Sequence, residues 1–289
     1  MKVILTGLSL SLLLGGCTSA LQTLSSTGVS LNDIGSAYKV GSSVTKSMED
    51  ITPEQEYYIG RSISANLLSR YKPYNNKAVQ EYINQIGLLV SYASDKPDIF
   101  GGYHFMVLDS DEINAFAAPG GFIFVTRGML RCTDSEDAVA AILAHEIAHV
   151  THQHGMQSIK KSRWSDVGMT LGSEAAKKYT SSEVSSLVSM FEGSIDDVVN
   201  TLVVNGYSRE YEEEADESAI AMLNKIGYSS SALIDVLKLM DKRLKPGGLD
   251  FAKTHPDPKD RISEIGSDTK KSANQESRFS RYRQKLAKI

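Results

Sequence analysis

The stretch AILAHEIAHV, residues 141–150, constrains this chain more than any other. It sets His145, Glu146 and His149 in the spacing H-E-x-x-H within an apolar run. On an α-helix, residues four apart share a face, one turn or about 5.4 Å along the axis. His145 and His149 therefore aim their imidazoles at one point. Ala138, Ala141 and Ile142 share that face, so the point lies inward. Glu146 sits about 100° round the helix, beside that point rather than on it. A zinc ion suits two such histidines, with Glu146 placed to accept a proton from water. A core helix with hydrogen-bonded histidines suits the same five residues, so a third ligand must decide.

A catalytic zinc takes three protein ligands and keeps one position for water. A metzincin would need glycine where His152 stands and histidine where Gly155 stands, which excludes that arrangement. A thermolysin-like glutamate on the next helix is poorly supplied by Glu174, whose i+4 neighbour is Lys178. SREYEEEADESAIAMLNKIG offers more. Wound at about 100° per residue, it sorts Glu210, Glu213, Glu214, Glu217, Asn224 and Lys225 to one side. Ala215, Ala219, Ile220, Leu223 and Ile226 fall on the other, and Glu212 and Asp216 fall among them. Carboxylates facing a core are costly unless paired or bound to metal. Glu212 is the candidate third ligand. Asp216, a turn later, can accept from the free ring N–H of a ligating histidine. An internal salt bridge on a charged helix is the plainer alternative.

The N-terminus reads as a targeting segment. MKVILTGLSLSLLLGGCTSA has a lysine, an apolar run and small residues, too short to span a membrane with ordinary flanks. Leu14-Gly15-Gly16-Cys17 resembles a bacterial lipobox, which predicts cleavage after residue 16 and a lipid on Cys17. Thr18 in place of aspartate favours outer-membrane sorting. Cys132, the second of two cysteines, is then left without a disulfide partner and reads as a small buried residue. No later run reaches about 18 apolar residues. The net charge of -4 gives no nucleic-acid signature.

Residues 17–50, rich in Ser, Thr and Gly, are expected to form a tether, 51–268 the folded domain, and 269–289 a basic tail. The tail carries seven Lys or Arg against Glu276 and reads as a solvated helix end or a lipid contact. Thr52, Pro53 and Gln55 predict a capped helix start, and Thr133 with Glu136 predicts another, opening a helix to about His154. Further helices are expected over 76–93, 208–226 and 230–244, with strands within YHFMVLDSDEINAFAAPGGFIFVTRGML. The order points to an α+β fold, mostly helical, with a small sheet beside the active-site helix.

HExxH, GYSREYEEEAD, THPDPKDRI and the upstream NAFAAPGGFIFVTRGML together resemble the Ste24-like zinc metallopeptidases, in particular their soluble periplasmic and outer-membrane members. The resemblance spans roughly Glu54 to Ile262. It implies a zincin-like domain with one Zn2+ per chain held by His145, His149 and Glu212, Glu146 as general base, and Asp216 supporting a ligand. It places His255 near the zinc, as an oxyanion stabiliser or as a fourth donor that keeps the enzyme latent; a loop histidine is the plainer reading. Arg261 is expected to anchor that loop through a carboxylate, with a surface arginine as the plainer alternative. His152 and His154 read as supporting or structural, and His104 belongs to no constellation. Residues 156–205 carry no motif and suggest part of a lid. A strand ending at NAFAAPGG with one edge open would take an extended peptide by main-chain pairing. The expected substrates are unfolded or misassembled envelope polypeptides, with outer-membrane assembly proteins as partners and no nucleic acid. The rival reading is a chaperone-like envelope protein whose cleavage is latent or secondary.

Overall fold

Thr52 opens helix α1 (Pro53–Arg70) through a reciprocal cap: Thr52 Oγ1 accepts from the Gln55 N–H at 3.2 Å, and Gln55 Oε1 accepts from the Thr52 N–H at 2.9 Å. The computed structural model describes residues 51–158, 195–196, 198–243, 255, 258–265, 269–272, 275–286 and 289. Cys17, the tether, Glu174 and most of the expected lid lie outside them. Helix α2 (Lys77–Ser91) is capped by Asn76, whose Oδ1 accepts from the Val79 N–H. Its inward face is Val79, Tyr82, Ile83, Ile86 and Val90, at helical spacing.

Strands β1 (His104–Leu108), β2 (Ala115–Ala118) and β3 (Phe122–Thr126) form one mixed sheet with β3 in the middle, parallel to β1 and antiparallel to β2. The turn Pro119–Gly121 links β2 to β3. Gly120 there has φ 70°, and a Cβ on it would lie 2.7 Å from the Tyr57 Cα, so both backbone and space require glycine. Alternate residues separate two apolar clusters. Ala115, Ala117, Ile123 and Val125 pack with α2 and the helices beyond it; Phe116, Ala118 and Phe124 pack with Ile59, Ile63 and Leu67 of α1.

After the single turn α3 (Arg127–Leu130) comes α4 (Glu136–Thr151), all of whose residues are buried. A helix apolar all round its girth belongs in a core. Its cap differs from the expected one. Ser135, not Thr133, accepts from the Ala138 N–H. The Thr133 hydroxyl instead donates to the Leu130 carbonyl, and Glu136 is drawn to Tyr82, Tyr228 and Arg281. The helix also ends earlier than expected, at Thr151, because Gln153 takes the left-handed conformation (φ 57°) that stops helices.

Helices α5 (Arg209–Lys225) and α6 (Ser231–Arg243) lie close to the expected spans. DPKDRI is not a loop: Pro258 starts helix α7 (Pro258–Ile265), where its missing N–H costs nothing. Nor is the C-terminal segment a free solvated end. Helix α8 (Gln275–Leu286) turns Arg278 onto Asp137 and Arg281 onto Glu136, at the start of α4. Among the described residues no helix is long and apolar enough to cross a membrane. The whole is mostly helical with one small sheet against α4, an α+β fold as expected.

Candidate metal centre

The histidine spacing on α4 and the core-facing acids on α5 bring their side chains together. His145 Nε2 lies 3.1 Å from His149 Nε2. Glu212 reaches both, with Oε2 3.4 Å from His145 Nε2 and Oε1 3.4 Å from His149 Nε2. His255 Nδ1 closes the group, 2.7 and 2.8 Å from the two Glu212 oxygens and 3.4 Å from His145 Nε2. One donor atom from each of the four lies within 4.8 Å of all the others. All four side chains are buried.

Three imidazoles and a carboxylate converging in a buried site form a nitrogen and oxygen donor set suited to zinc. A second observation fits the same ion. Glu146, on the adjoining face of α4, is buried, and its Oε1 has no hydrogen-bond partner among the described residues. Such an atom is costly unless a cation or water meets it. Burial raises the Glu146 carboxyl to about 7, with the charge of Glu212 adding to the rise and His145 and Arg261 opposing it.

The surroundings tune the histidines unequally. Burial and Arg261 press His145 down, but Asp216 and Glu212 outweigh them and raise it to about 9. Burial holds His149 well below its ordinary value. Burial also works against the Glu212 charge, yet His255, His145 and His149 hold that carboxyl well below the usual range. Asp216 Oδ1 stands 2.9 Å from His145 Nδ1. Arg261 of α7, also buried, donates to both Asp216 oxygens, Nη2 to Oδ1 at 2.6 Å and Nε to Oδ2 at 2.8 Å. Asp216 is thereby lowered to about 2 against burial, which favours its neutral form.

Of the residues singled out in the sequence, His145, Glu146, His149, Glu212, Asp216 and His255 meet here, and Arg261 meets them from α7. His104 stacks on Phe122, away from the group. Cys132 is buried and forms no disulfide among the described residues. Of two further neighbours, His154 was expected only as supporting or structural and Tyr207 was not legible as a site residue. His154 Nδ1 lies 2.8 Å from His149 Nδ1, and Tyr207 stacks on His149 at 4.5 Å. For Tyr207 the available signal was its place directly before Ser208, the residue flanking α5.

A pocket opens between β2 and Glu146, lined by Ala115, Phe116, Ala117, Thr201, Leu202, Tyr207 and His255. β2 is an edge strand, as the open-edge expectation required, but its residues are buried and the edge is covered. The turn Thr201–Asn205 packs on it, and the Tyr207 hydroxyl donates a long 3.5 Å bond to the Ala117 carbonyl. On another side of Glu146 lies an apolar pocket of Ile142, Leu233, Val236, Leu237 and Met240.

Comparison with known proteins agrees with this geometry. The model of "Peptidase family M48" matches residues 75–269, more than half of the chain. The beta-barrel assembly-enhancing protease of Escherichia coli (strain K12) is 28% identical over 204 residues, 70% of this chain and 40% of that protein. A putative beta-barrel assembly-enhancing protease of Vibrio cholerae is 32% identical over 224 residues, 74% of this chain and 44% of that protein. The mitochondrial metalloendopeptidase OMA1 of Schizosaccharomyces pombe is 29% identical over 186 residues, 64% of this chain and 51% of that protein. The chain thus spans about half, or less, of the length of these relatives.

Proposed function

The chain belongs to peptidase family M48, a family of zinc metallopeptidases, and from that premise we propose that it is a zinc endopeptidase of Ste24-like type acting on unfolded or misassembled envelope polypeptides. His145, His149 and Glu212 would hold the ion, one per chain, with His255 as the fourth donor of the resting site. Bound there, zinc supplies a Lewis acid that polarises a peptide carbonyl and acidifies water. Glu146 takes a proton from the attacking water and passes it to the leaving amine. A carboxyl raised to about 7 suits both halves of that task. Asp216, fixed by Arg261, orients His145 through its Nδ1–H.

The observation that carries the reading is the pairing of the convergent donor set with the buried, unsatisfied Glu146 Oε1. The envelope setting rests on the lipobox at Cys17 and on the relatives named as beta-barrel assembly-enhancing proteases. It implies a lipid-anchored protein on the periplasmic face of the outer membrane, with assembly proteins of that membrane as partners.

The covered β2 edge and the His255–Glu212 contact favour a second reading, a chaperone-like envelope protein with latent cleavage. Zinc stoichiometry and cleavage of an unfolded protein, for wild type and Glu146→Gln, test both readings. We expect both proteins to bind one zinc and only wild type to cleave. Zinc in both with cleavage by neither would favour the second reading.

A further inference from the structure

Two of the candidate ligands are held in different ways. His145 turns its Nδ1 to a carboxylate, Asp216, at 2.9 Å. His149 turns its Nδ1 to a second imidazole, the Nδ1 of His154, at 2.8 Å. The far nitrogen of His154, Nε2, lies 3.0 Å from Glu214 Oε2. We propose that His154 and Glu214 form a relay that positions His149 for metal binding, with Glu214 setting the tautomer of His154 and His154 setting that of His149. The inference rests on the zinc reading of the site.

The tautomers follow from the geometry. His149 Nε2 faces His145 and Glu212, so it is the atom that must offer a lone pair to an ion. The His149 proton then sits on Nδ1 and is donated to His154 Nδ1, which must be unprotonated to accept it. His154 therefore carries its own proton on Nε2 and donates it to Glu214, which as a carboxylate can only accept. Each bond in the chain fixes the next.

The surroundings lock the relay in place. His154 is fully buried, with its ring between Tyr211, stacked at 4.3 Å and 8°, and His152, stacked at 5.5 Å and 15°. Glu214 is held from its other oxygen by His152 Nδ1 at 3.0 Å, and His152 Nε2 lies 2.7 Å from Ser218 Oγ. The backbone also contributes. Gln153, the described non-glycine residue with positive φ, turns the chain so that His154 returns beneath His149. The Gln153 side chain is tied to Glu56 Oε2 at 2.7 Å.

The relay also resolves a charge problem. Asp216 meets its histidine directly, is buried, and requires the buried Arg261 to balance it. Glu214 has a side chain 47% exposed and stays hydrated. His154 carries the effect of that carboxylate inward without burying its charge.

The test uses the full chain, zinc affinity by chelator competition, and histidine nitrogen NMR. His154→Phe keeps the ring stacking and removes the acceptor, and should weaken zinc binding about 10–100-fold. His154→Gln, whose amide oxygen can accept the same N–H, should recover most of that loss. Glu214→Gln should give a smaller loss alone and none beyond that of His154→Phe in the double variant. In zinc-loaded wild type, His149 should be protonated on Nδ1 and His154 on Nε2. A folded His154→Phe with wild-type zinc affinity overturns the relay. So does a His154 protonated on Nδ1 in wild type, which decides the matter even if His154→Phe fails to fold. A wild type that binds no zinc overturns the metal reading and the relay with it.

Discussion

His145 concentrates the electrostatics of the site. Between Glu212 and Asp216 it is raised to about 9, so the metal-free protein holds a proton there at neutral pH. A zinc ligand must be deprotonated. Binding near pH 7 should therefore release about one proton, and affinity should rise with pH until about 9 and fall as the solution is acidified. Calorimetric titrations in two buffers of different ionisation enthalpy would measure the release; equal heats in both would contradict it. The sequence reaches this far because helical periodicity is a local property. Spacing alone put His145 beside His149 and left Glu212 and Asp216 among alanines. It reached Arg261 only as a loop anchor on an unspecified carboxylate, since that guanidinium arrives on a helix some 45 residues beyond its partner, Asp216. For His154 it reached a supporting role but not the partner, because the position depends on a left-handed residue that no pattern of apolar positions encodes.

Helix α4 is held at its start by helix α8. Glu136 accepts from Tyr82, Tyr228 and Arg281, and Asp137 accepts from Arg278 at 2.9 and 3.0 Å and from the Ser229 N–H at 2.6 Å. Both acids lie in the first turn, where the helix dipole also favours them. Arg278→Ala leaves the Asp137 charge buried with less compensation. It should cost about 3–5 kcal/mol of stability, the scale of breaking a buried pair. Urea unfolding of the metal-free protein would read this, and a loss below about 1 kcal/mol would mark the pair as a surface contact. A run of basic residues reads as a solvated end because its acidic partners stand 141 residues earlier, at positions that local patterning assigns to a helix cap. The capped start at Thr52 was legible because its partner lies within one turn.

At the scale of the molecule, the site is closed by parts that do not belong to α4. His255 and Tyr207 reach it from outside that helix. If His255 keeps the enzyme latent, His255→Ala should raise basal cleavage at saturating zinc. A fall of about 100–1,000-fold in single-turnover rate would instead make it an oxyanion donor. Tyr207→Phe removes the hydroxyl over Ala117 and should increase cleavage of an extended peptide; unchanged rates would show that the β2 edge is not the docking line. The fold class was legible from the order of periodic segments, and the small sheet from alternation around PGG. For the cover over β2 the sequence offered only a lid expected within 156–205 and no particular residues, because that stretch lacks periodicity and motif.

A helix buried on every side has no independent lifetime. Its amides can meet solvent only when the core around them opens, so their exchange with deuterium should report the global unfolding free energy. The segment 201–207 contacts the site from its rim and is expected to exchange through smaller openings. Helix α4 and the covering segment would then keep separate clocks. Admission of a substrate need disturb only the faster one, while the histidines and Glu146 keep their geometry for as long as the protein remains folded.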